Sequence, residues 1–379
     1  MPRTPYARQK INSKDIVSVV SVLKSDFLTT GPKIIEFEKK LSNIFNAKYS
    51  SAVNSATSAL HLACLALGLK KGDYLWTTPI SFVASANCGL YCSAKVDFVD
   101  IDNENFNISV SKLKKKLEKT PKTKLPKIIV VVHLSGHPVD LKSIKNLSKK
   151  YKFKIIEDAS HAVGSTYNGT KIGNCKYSDI CIFSFHPIKI ITTGEGGAML
   201  TNSKKVYDKF SLLRSHGIDK SVKSNSNPWY YNQTCLGYNY RMNEIEAALG
   251  VSQLSNLDKF VKERNRIAEF YRKNLDSSNI KFQQLVLNSK SSMHLFIIRI
   301  NSLKRNQLFK ELKKNYIDTN LHYIPIYRHS FYNKIRVNLK SFKNSEDYYK
   351  EAISIPLYFG LKKNVQIKII KIINRVVAI

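Results

Sequence analysis

The chain has 379 residues, 43% of them hydrophobic and 11% aromatic, enough apolar material to bury a core and to exclude disorder by composition. That length exceeds the usual single core, so a large domain and a smaller one are expected. The formal net charge of +33 raises nucleic-acid binding, but Lys far outnumbers Arg, the better reader of bases and phosphates.

The excess is also spread along the chain, with one local cluster at "KLKKKLEKTPKTKLPK" (Lys112–Lys127), and no helix-turn-helix, zinc-finger or RNA-binding pattern accompanies it. Solubilising surface lysines, whose field attracts a small anionic substrate, are the better reading. No nucleic-acid partner is expected. The six cysteines include no C-x-x-C pair, which argues against a disulfide framework and against a zinc site, so buried reduced thiols and no metal are expected. The first residues, "MPRTPYARQKI", lack the apolar core of a signal peptide, and no run approaches 18 apolar residues. A soluble cytoplasmic protein without a membrane partner is the expectation.

In chain order, "SATSALHLACLALGL" reads as a helix capped by Ser55, with Leu60, Ala63, Cys64 and Leu67 on its apolar stripe. "DYLWTTP" and "KVDFVDI" read as strands, and "PKIIVVVHLSG" as a strand buried on both faces. "FKIIEDAS", "SDICIFSF" and "GAMLTN" supply three more strands. This alternation predicts an α/β architecture with a mixed, mostly parallel sheet covered on both sides. Ile218–Thr234 has loop composition, and Met242–Leu275 reads as one long helix leading to a second unit. Beyond it, "HLFIIRI" alternates like a strand, "LFKELKKNY" like a helix, and "EAISIPL" like a strand. The last stretch, "NVQIKIIKIINRVVAI", is basic and amphipathic and is expected to close the small unit rather than lie on a membrane. The expected division is a large cofactor-binding domain with an N-terminal segment over 1–250, and a small α+β domain over 251–379.

Ligands of doubly wound sheets bind at strand ends, and four candidates gather there. The Ser55 hydroxyl and the amides of Ala56 and Thr57, at a helix start, fit a phosphate or ordinary helix capping. Phe82, just past a strand, fits ring stacking or core packing. Asp158, ending "FKIIED", fits a metal, a base, a protonated ring nitrogen or a turn cap. Lys189 follows the strand "DICIFSF" and Ser184. A phosphate cup, a stacking ring, a carboxylate and an amine together match one ligand, pyridoxal 5′-phosphate. Lys189 would form its Schiff base, and Asp158 would keep the pyridine nitrogen protonated so that the ring accepts carbanion charge.

These residues carry a resemblance. Through "LTTGPKIIEFE", "NSATSAL", "TTPISFVASAN", "EDASHAVGS", "SFHPIKIITTGEGGAM", "RSHG", "GYNYRMNEIEAALG" and "HYIPIY" the chain resembles, nearly end to end, the DegT/DnrJ/EryC1/StrS sugar aminotransferases. The resemblance implies the aspartate-aminotransferase (type I) fold, a pyridoxal phosphate cofactor and a homodimer with shared active sites. By motif, Lys189 matches the Schiff-base lysine, Asp158 the pyridinium partner and His161 a position beside the ring near its hydroxyl. Ser184, Ala56 and Thr57 match phosphate contacts, and Phe82 the stacking position. Asn239 matches an asparagine that reaches the neighbouring subunit's cofactor phosphate. Arg241, two residues on, is a candidate for the substrate diphosphate across the same interface, or for a structural ion pair. Tyr6, His216, His322 and Tyr323 are candidate sugar or nucleotide contacts.

The resemblance also implies a substrate, a UDP-linked 4-keto-6-deoxy sugar aminated at C4 with glutamate as donor. GDP- or dTDP-linked 4-keto sugars are the rival substrates. A related dehydratase is disfavoured, since those members typically carry His where this chain has Lys189. One departure stands out: the catalytic lysine of the family is commonly followed by proline, and here Ile190 takes that place.

Overall fold

The computed structural model describes residues 3–219, 227–333, 335 and 337–378. Of the expected loop Ile218–Thr234, residues 220–226 lie outside the described residues. The main sheet holds β1 (Tyr49–Val53), β2 (Tyr74–Thr77), β3 (Lys95–Phe98), β4 (Ile128–Val132), β5 (Lys154–Asp158), β6 (Ile180–Ser184) and β7 (Gly197–Thr201). Across the sheet they run β1-β7-β6-β5-β4-β2-β3. The run from β6 to β3 is parallel, and β7 is antiparallel to both β1 and β6. The sheet is therefore mixed and mostly parallel, as the alternating pattern predicts. Strand β1 was not expected, because "YSSAV" mixes polar with apolar residues. Its polar Ser50 and Ser51 are nonetheless buried against the neighbouring elements.

The period-2 geometry of a strand explains why β4 is apolar throughout. Ile129 and Val131 enter the hydrophobic core on one face, while Ile128 and Val130 enter the core on the other. Helices α1 (Ser13–Leu23), α2 (Pro32–Phe45), α3 (Ala56–Ala66), α4 (Ala84–Tyr91), α5 (Val110–Lys119), α6 (Leu141–Tyr151) and α7 (Lys204–Arg214) accompany this sheet. Asn12 and Asp15 form a capping box on α1, which fixes its start.

The predicted long helix is two: α8 (Glu244–Leu254) and α9 (Leu257–Asn274). At the break, the Ser255 hydroxyl and the Asn256 side-chain amide both donate to the Ser252 carbonyl, at 2.6 and 3.5 Å. Short polar side chains of this kind compete with the helical ladder, and here two of them in succession end it. Helix α9 begins in the core of the main sheet with Leu257 and Phe260 and ends in a separate core with Ile267, Ala268 and Tyr271.

That second core belongs to a smaller antiparallel sheet of β8 (Lys281–Phe282), β9 (Phe296–Arg299) and β10 (Ala352–Ile355). Helices α10 (Ser302–Lys314), α11 (Lys343–Glu351) and α12 (Lys363–Ala378) complete it. Strand β9 does not show the one-sided burial its alternation suggests. Phe296 and Ile298 face the small core, Ile297 faces a fourth cluster with Ile80 and Leu134, and all four residues are buried. Helix α12 buries Ile369, Ile372, Ile373 and Val376 in the small core, which places the basic amphipathic end as its closing helix. No described helix is long and apolar enough to cross a membrane. The N-terminal segment runs along the smaller unit, where Thr4 bridges Ile317 and the Leu357 amide donates to Tyr6 O at 3.1 Å.

Candidate active site

The ends of β5 and β6 and the start of α3 open onto a cavity of about 700 Å³. It is lined by Tyr6, Ser55, Ala56, Thr57, Phe82, Asp158, His161, Ser184, Lys189, His322 and Tyr323 among others, which brings together most of the residues singled out above. Local chemistry explains how each arrives. Ser55 caps α3, its hydroxyl accepting from the Ser58 amide at 3.1 Å. The amides of Ala56 and Thr57, in the first turn, have no carbonyl one turn earlier and present donors at the positive end of the helix. Gly197, at the start of β7, lets the backbone pass this helix end, since a Cβ there would sit 2.5 Å from the Ala56 nitrogen.

Asp158 ends β5 and is buried. Its Oδ1 accepts from the Ser160 amide at 3.2 Å and the Ser160 hydroxyl at 2.6 Å, and its Oδ2 accepts from the Ser85 hydroxyl at 2.6 Å. Lys189 lies partly buried in the turn after β6, its amide donating to His186 O at 2.9 Å. Burial lowers its ammonium from the usual 10.5 to about 8, with the Asp158 charge opposing the shift. A sizeable minority of the amine is thus neutral near physiological pH, far more than for an exposed lysine, which favours a role as base or nucleophile.

Three buried imidazoles surround this pair. Burial, the Lys189 charge and His322 hold His161 well below the ordinary range. Burial and Lys189 lower His322 to about 3. Burial, together with His161 and Lys189, also holds His294 well below it. The Ser135 amide donates to His161 Nδ1 at 3.2 Å, so the neutral ring carries its proton on Nε2, 3.1 Å from the Tyr323 hydroxyl. Phe82 is 58% exposed, an unusual state for a phenylalanine, and its ring stands 6.2 Å from that of Tyr323 on the cavity wall. A helix end rich in donors, a carboxylate, an exposed aromatic face and a lowered amine fit the four parts of pyridoxal phosphate.

Three predicted residues do not line this cavity. Asn239 bridges Ser215, and the His216 amide donates to Tyr238 O at 2.9 Å. Arg241 bridges Val53 and borders a separate pocket of about 190 Å³ with Gly31, Glu38 and Arg214. Sequence reasoning missed Ser81, Ser85 and Ser160 around Asp158. Ser160 was legible in principle, since Asp-x-Ser is an Asx-turn pattern. Ser85 lies 73 residues from Asp158 and left no local signal. The structure also accounts for Ile190, which is 5% exposed and packs in the core of the main sheet beside Ile191.

A mixed α/β sheet with a lysine and a carboxylate at adjacent strand ends, beside a donor-rich helix start, fits the class of pyridoxal-phosphate-dependent enzymes. The model of the DegT/DnrJ/EryC1/StrS aminotransferase family matches residues 9–374, and the chain belongs to that family. It is 41% identical over 360 residues to the UDP-4-amino-4,6-dideoxy-N-acetyl-beta-L-altrosamine transaminase of Campylobacter jejuni (strain 81-176), covering 93% of this chain and 92% of the relative. Among solved structures it is similar to Helicobacter pylori PseC, an aminotransferase involved in the biosynthesis of pseudoaminic acid. The TM-score is 0.90 at 32% identity, with 99% of each chain covered. The PLP form of the putative sugar aminotransferase Spr1654 of Streptococcus pneumoniae gives a TM-score of 0.91 at 27% identity, again over 99% of each chain.

Proposed function

We propose that the chain aminates C4 of a UDP-linked 4-keto-6-deoxy sugar, UDP-2-acetamido-2,6-dideoxy-β-L-arabino-hex-4-ulose, with glutamate as amino donor. The product would be the 4-amino sugar of the pseudaminic acid route, made in the cytoplasm. The observation that carries the chemistry is the Lys189 amine, lowered to about 8, in one cavity with the hydrogen-bonded Asp158 carboxylate. The likeness to the Campylobacter jejuni transaminase, at 41% identity, supports the substrate. The net charge of +33 suits a nucleotide diphosphate.

Pyridoxal phosphate, when bound, supplies an electron sink and carries the amino group between the two half-reactions. In this reading the α3 amides of Ala56 and Thr57, with the Ser55 and Ser184 hydroxyls, bind its phosphate. Phe82 would cover the ring, His161 would lie beside its hydroxyl, and Asp158 would keep its nitrogen protonated. Lys189 would hold it and, as the free amine, would take the proton from the α-carbon of the donor and later deliver one to C4 of the sugar. Tyr6, His322 and Tyr323 contact sugar or nucleotide, whereas His216 lies outside the cavity of its own chain. Asn239 and Arg241, outside the cavity of their own chain, serve the site of a second copy in a homodimer, at the cofactor phosphate and the substrate diphosphate. In this reading the large unit holds the cofactor and the small unit closes the substrate side. The boundary lies within α9, past the expected 250/251, because Leu254, Leu257 and Phe260 pack in the main core.

The test is to load the protein with pyridoxamine phosphate and offer UDP-, dTDP- and GDP-linked 4-keto-6-deoxy sugars in turn. Return of the aldehyde spectrum with the UDP sugar is expected. A return with only the GDP or dTDP sugar overturns the substrate, and no return with any overturns the reaction.

A further inference from the structure

Asp158 is held by more than its own turn. A carboxylate offers about four acceptor positions. Ser160 fills two of them on Oδ1 with its amide and hydroxyl, at 3.2 and 2.6 Å. Oδ2 takes a single donor, the Ser85 hydroxyl at 2.6 Å. Oδ2 is therefore the oxygen with an acceptor position to spare, and Ser85 is what fixes it.

The Ser85 hydroxyl has one proton, and Asp158 receives it. Its contact with the Ser81 hydroxyl at 2.7 Å must then run the other way, Ser81 donating to Ser85. The result is a directed chain, Ser81 to Ser85 to Asp158, in which each bond polarises the next. Ser85 is fully buried and Ser81 is 3% exposed, so water does not compete easily for either. Helix α4 supplies the rigidity, because the Ser85 amide donates to Phe82 O at 3.2 Å in its first turn. One segment of five residues thus puts Phe82 on the cavity wall and Ser85 on the carboxylate behind it.

We propose that Ser85, backed by Ser81, is a positioning residue of the cofactor site, fixing Oδ2 of Asp158 to accept a hydrogen bond from a protonated pyridinium ring nitrogen. The inference rests on the reading of Asp158 given under Proposed function. Ser85 touches neither cofactor nor substrate in it and acts through Asp158. Loss of the Ser85 hydroxyl leaves Oδ2 without a protein donor, so that the carboxylate is held through Oδ1 and Ser160 alone.

The experiment titrates cofactor-free protein with pyridoxal phosphate and measures the dissociation constant for wild type, Ser81→Ala, Ser85→Ala, Asp158→Asn and the Ser85→Ala/Asp158→Asn pair. Ser85→Ala is expected to weaken binding by about tenfold or more, the usual scale for a buried hydrogen bond to a charge. Ser81→Ala, which spares the direct contact, weakens it less and keeps the question open to measurement if Ser85→Ala folds poorly. The double variant should be no weaker than Asp158→Asn alone, because the two residues act as one unit. A Ser85→Ala protein that binds as tightly as wild type while Asp158→Asn is weakened overturns the inference alone, as do losses that simply add. An Asp158→Asn protein with unchanged affinity overturns the role of Asp158, and with it this inference.

Discussion

The cavity at the ends of β5 and β6 and the segment from Arg214 to Met242 were both marked by family motifs, yet they differ in how complete they are within one chain. At the cavity, Ser55, Phe82, Asp158, Ser184 and Lys189 come from four separate stretches and meet around one space. In the second region, Asn239 and Arg241 lie along an extended segment beside β1 and meet no such space; Arg241 borders only a small pocket with Glu38 and Arg214. The lesson concerns topology. Strand ends of one parallel sheet converge on one edge automatically, so motifs placed there find each other. Residues on a connecting segment have no such guarantee, and the function proposed for them needs a second copy of the chain.

The sharpest break of this comparison is at Lys189. In the proposed function Lys189→Ala would remove both anchor and base, and turnover should fall by about 10⁴-fold in a steady-state assay, with pyridoxal phosphate still able to bind through the other groups. Multiple turnovers of amino donor by that variant would show that the cavity is not where the chemistry occurs.

Mixing variants tests the other side. An Asn239→Ala/Arg241→Ala chain and a Lys189→Ala chain should each be nearly inactive. In a mixed dimer one site would hold an intact lysine and an intact partner segment. Random reassociation should restore roughly a quarter of wild-type activity. If mixing restores nothing although dimers exchange, Asn239 and Arg241 do not serve a neighbour's site.

A smaller effect separates Lys189 from the surface lysines by pH. Burial depresses its pKa to about 8, so its neutral fraction rises through that pH, while ordinary lysines deprotonate near 10.4. In cofactor-free protein, reductive methylation of Lys189 followed by mass spectrometry should therefore rise with a midpoint about two units below that of exposed lysines. The linkage has a definite sign. A lysine whose folded pKa is lowered binds fewer protons folded than unfolded between pH 8 and 10.5, so its contribution to stability improves as pH rises across that window. A midpoint near 10.4 would remove the electrostatic basis for its role.

The smallest effect expected is at Ile190. Its side chain fills core volume and touches no reacting group, so Ile190→Pro should leave turnover within a few fold. Lost packing should lower stability by about 2 kcal/mol, read from denaturant unfolding. A large loss of turnover at unchanged stability would mean that the isoleucine itself sets the Lys189 backbone.

The sequence alone determined the outline of the main sheet, because buried parallel strands such as "KIIVVV" must be apolar on both sides and announce themselves without help. It also marked the elements of the cavity, since a helix cap, a carboxylate at a strand end and a lysine before a glycine-rich turn are local patterns. It did not mark β1, whose serines are buried only because the neighbouring elements close over them, nor the two-residue break between α8 and α9. Above all it did not reveal the hold on Asp158. Ser160 sits two residues away and could be read as a turn, but Ser85 reaches the carboxylate across 73 residues through the packing of α4 against the sheet. A hydrogen bond between distant hydroxyl and carboxylate has no periodicity and no spacing. Only the folded chain decides which serine, among many, donates it.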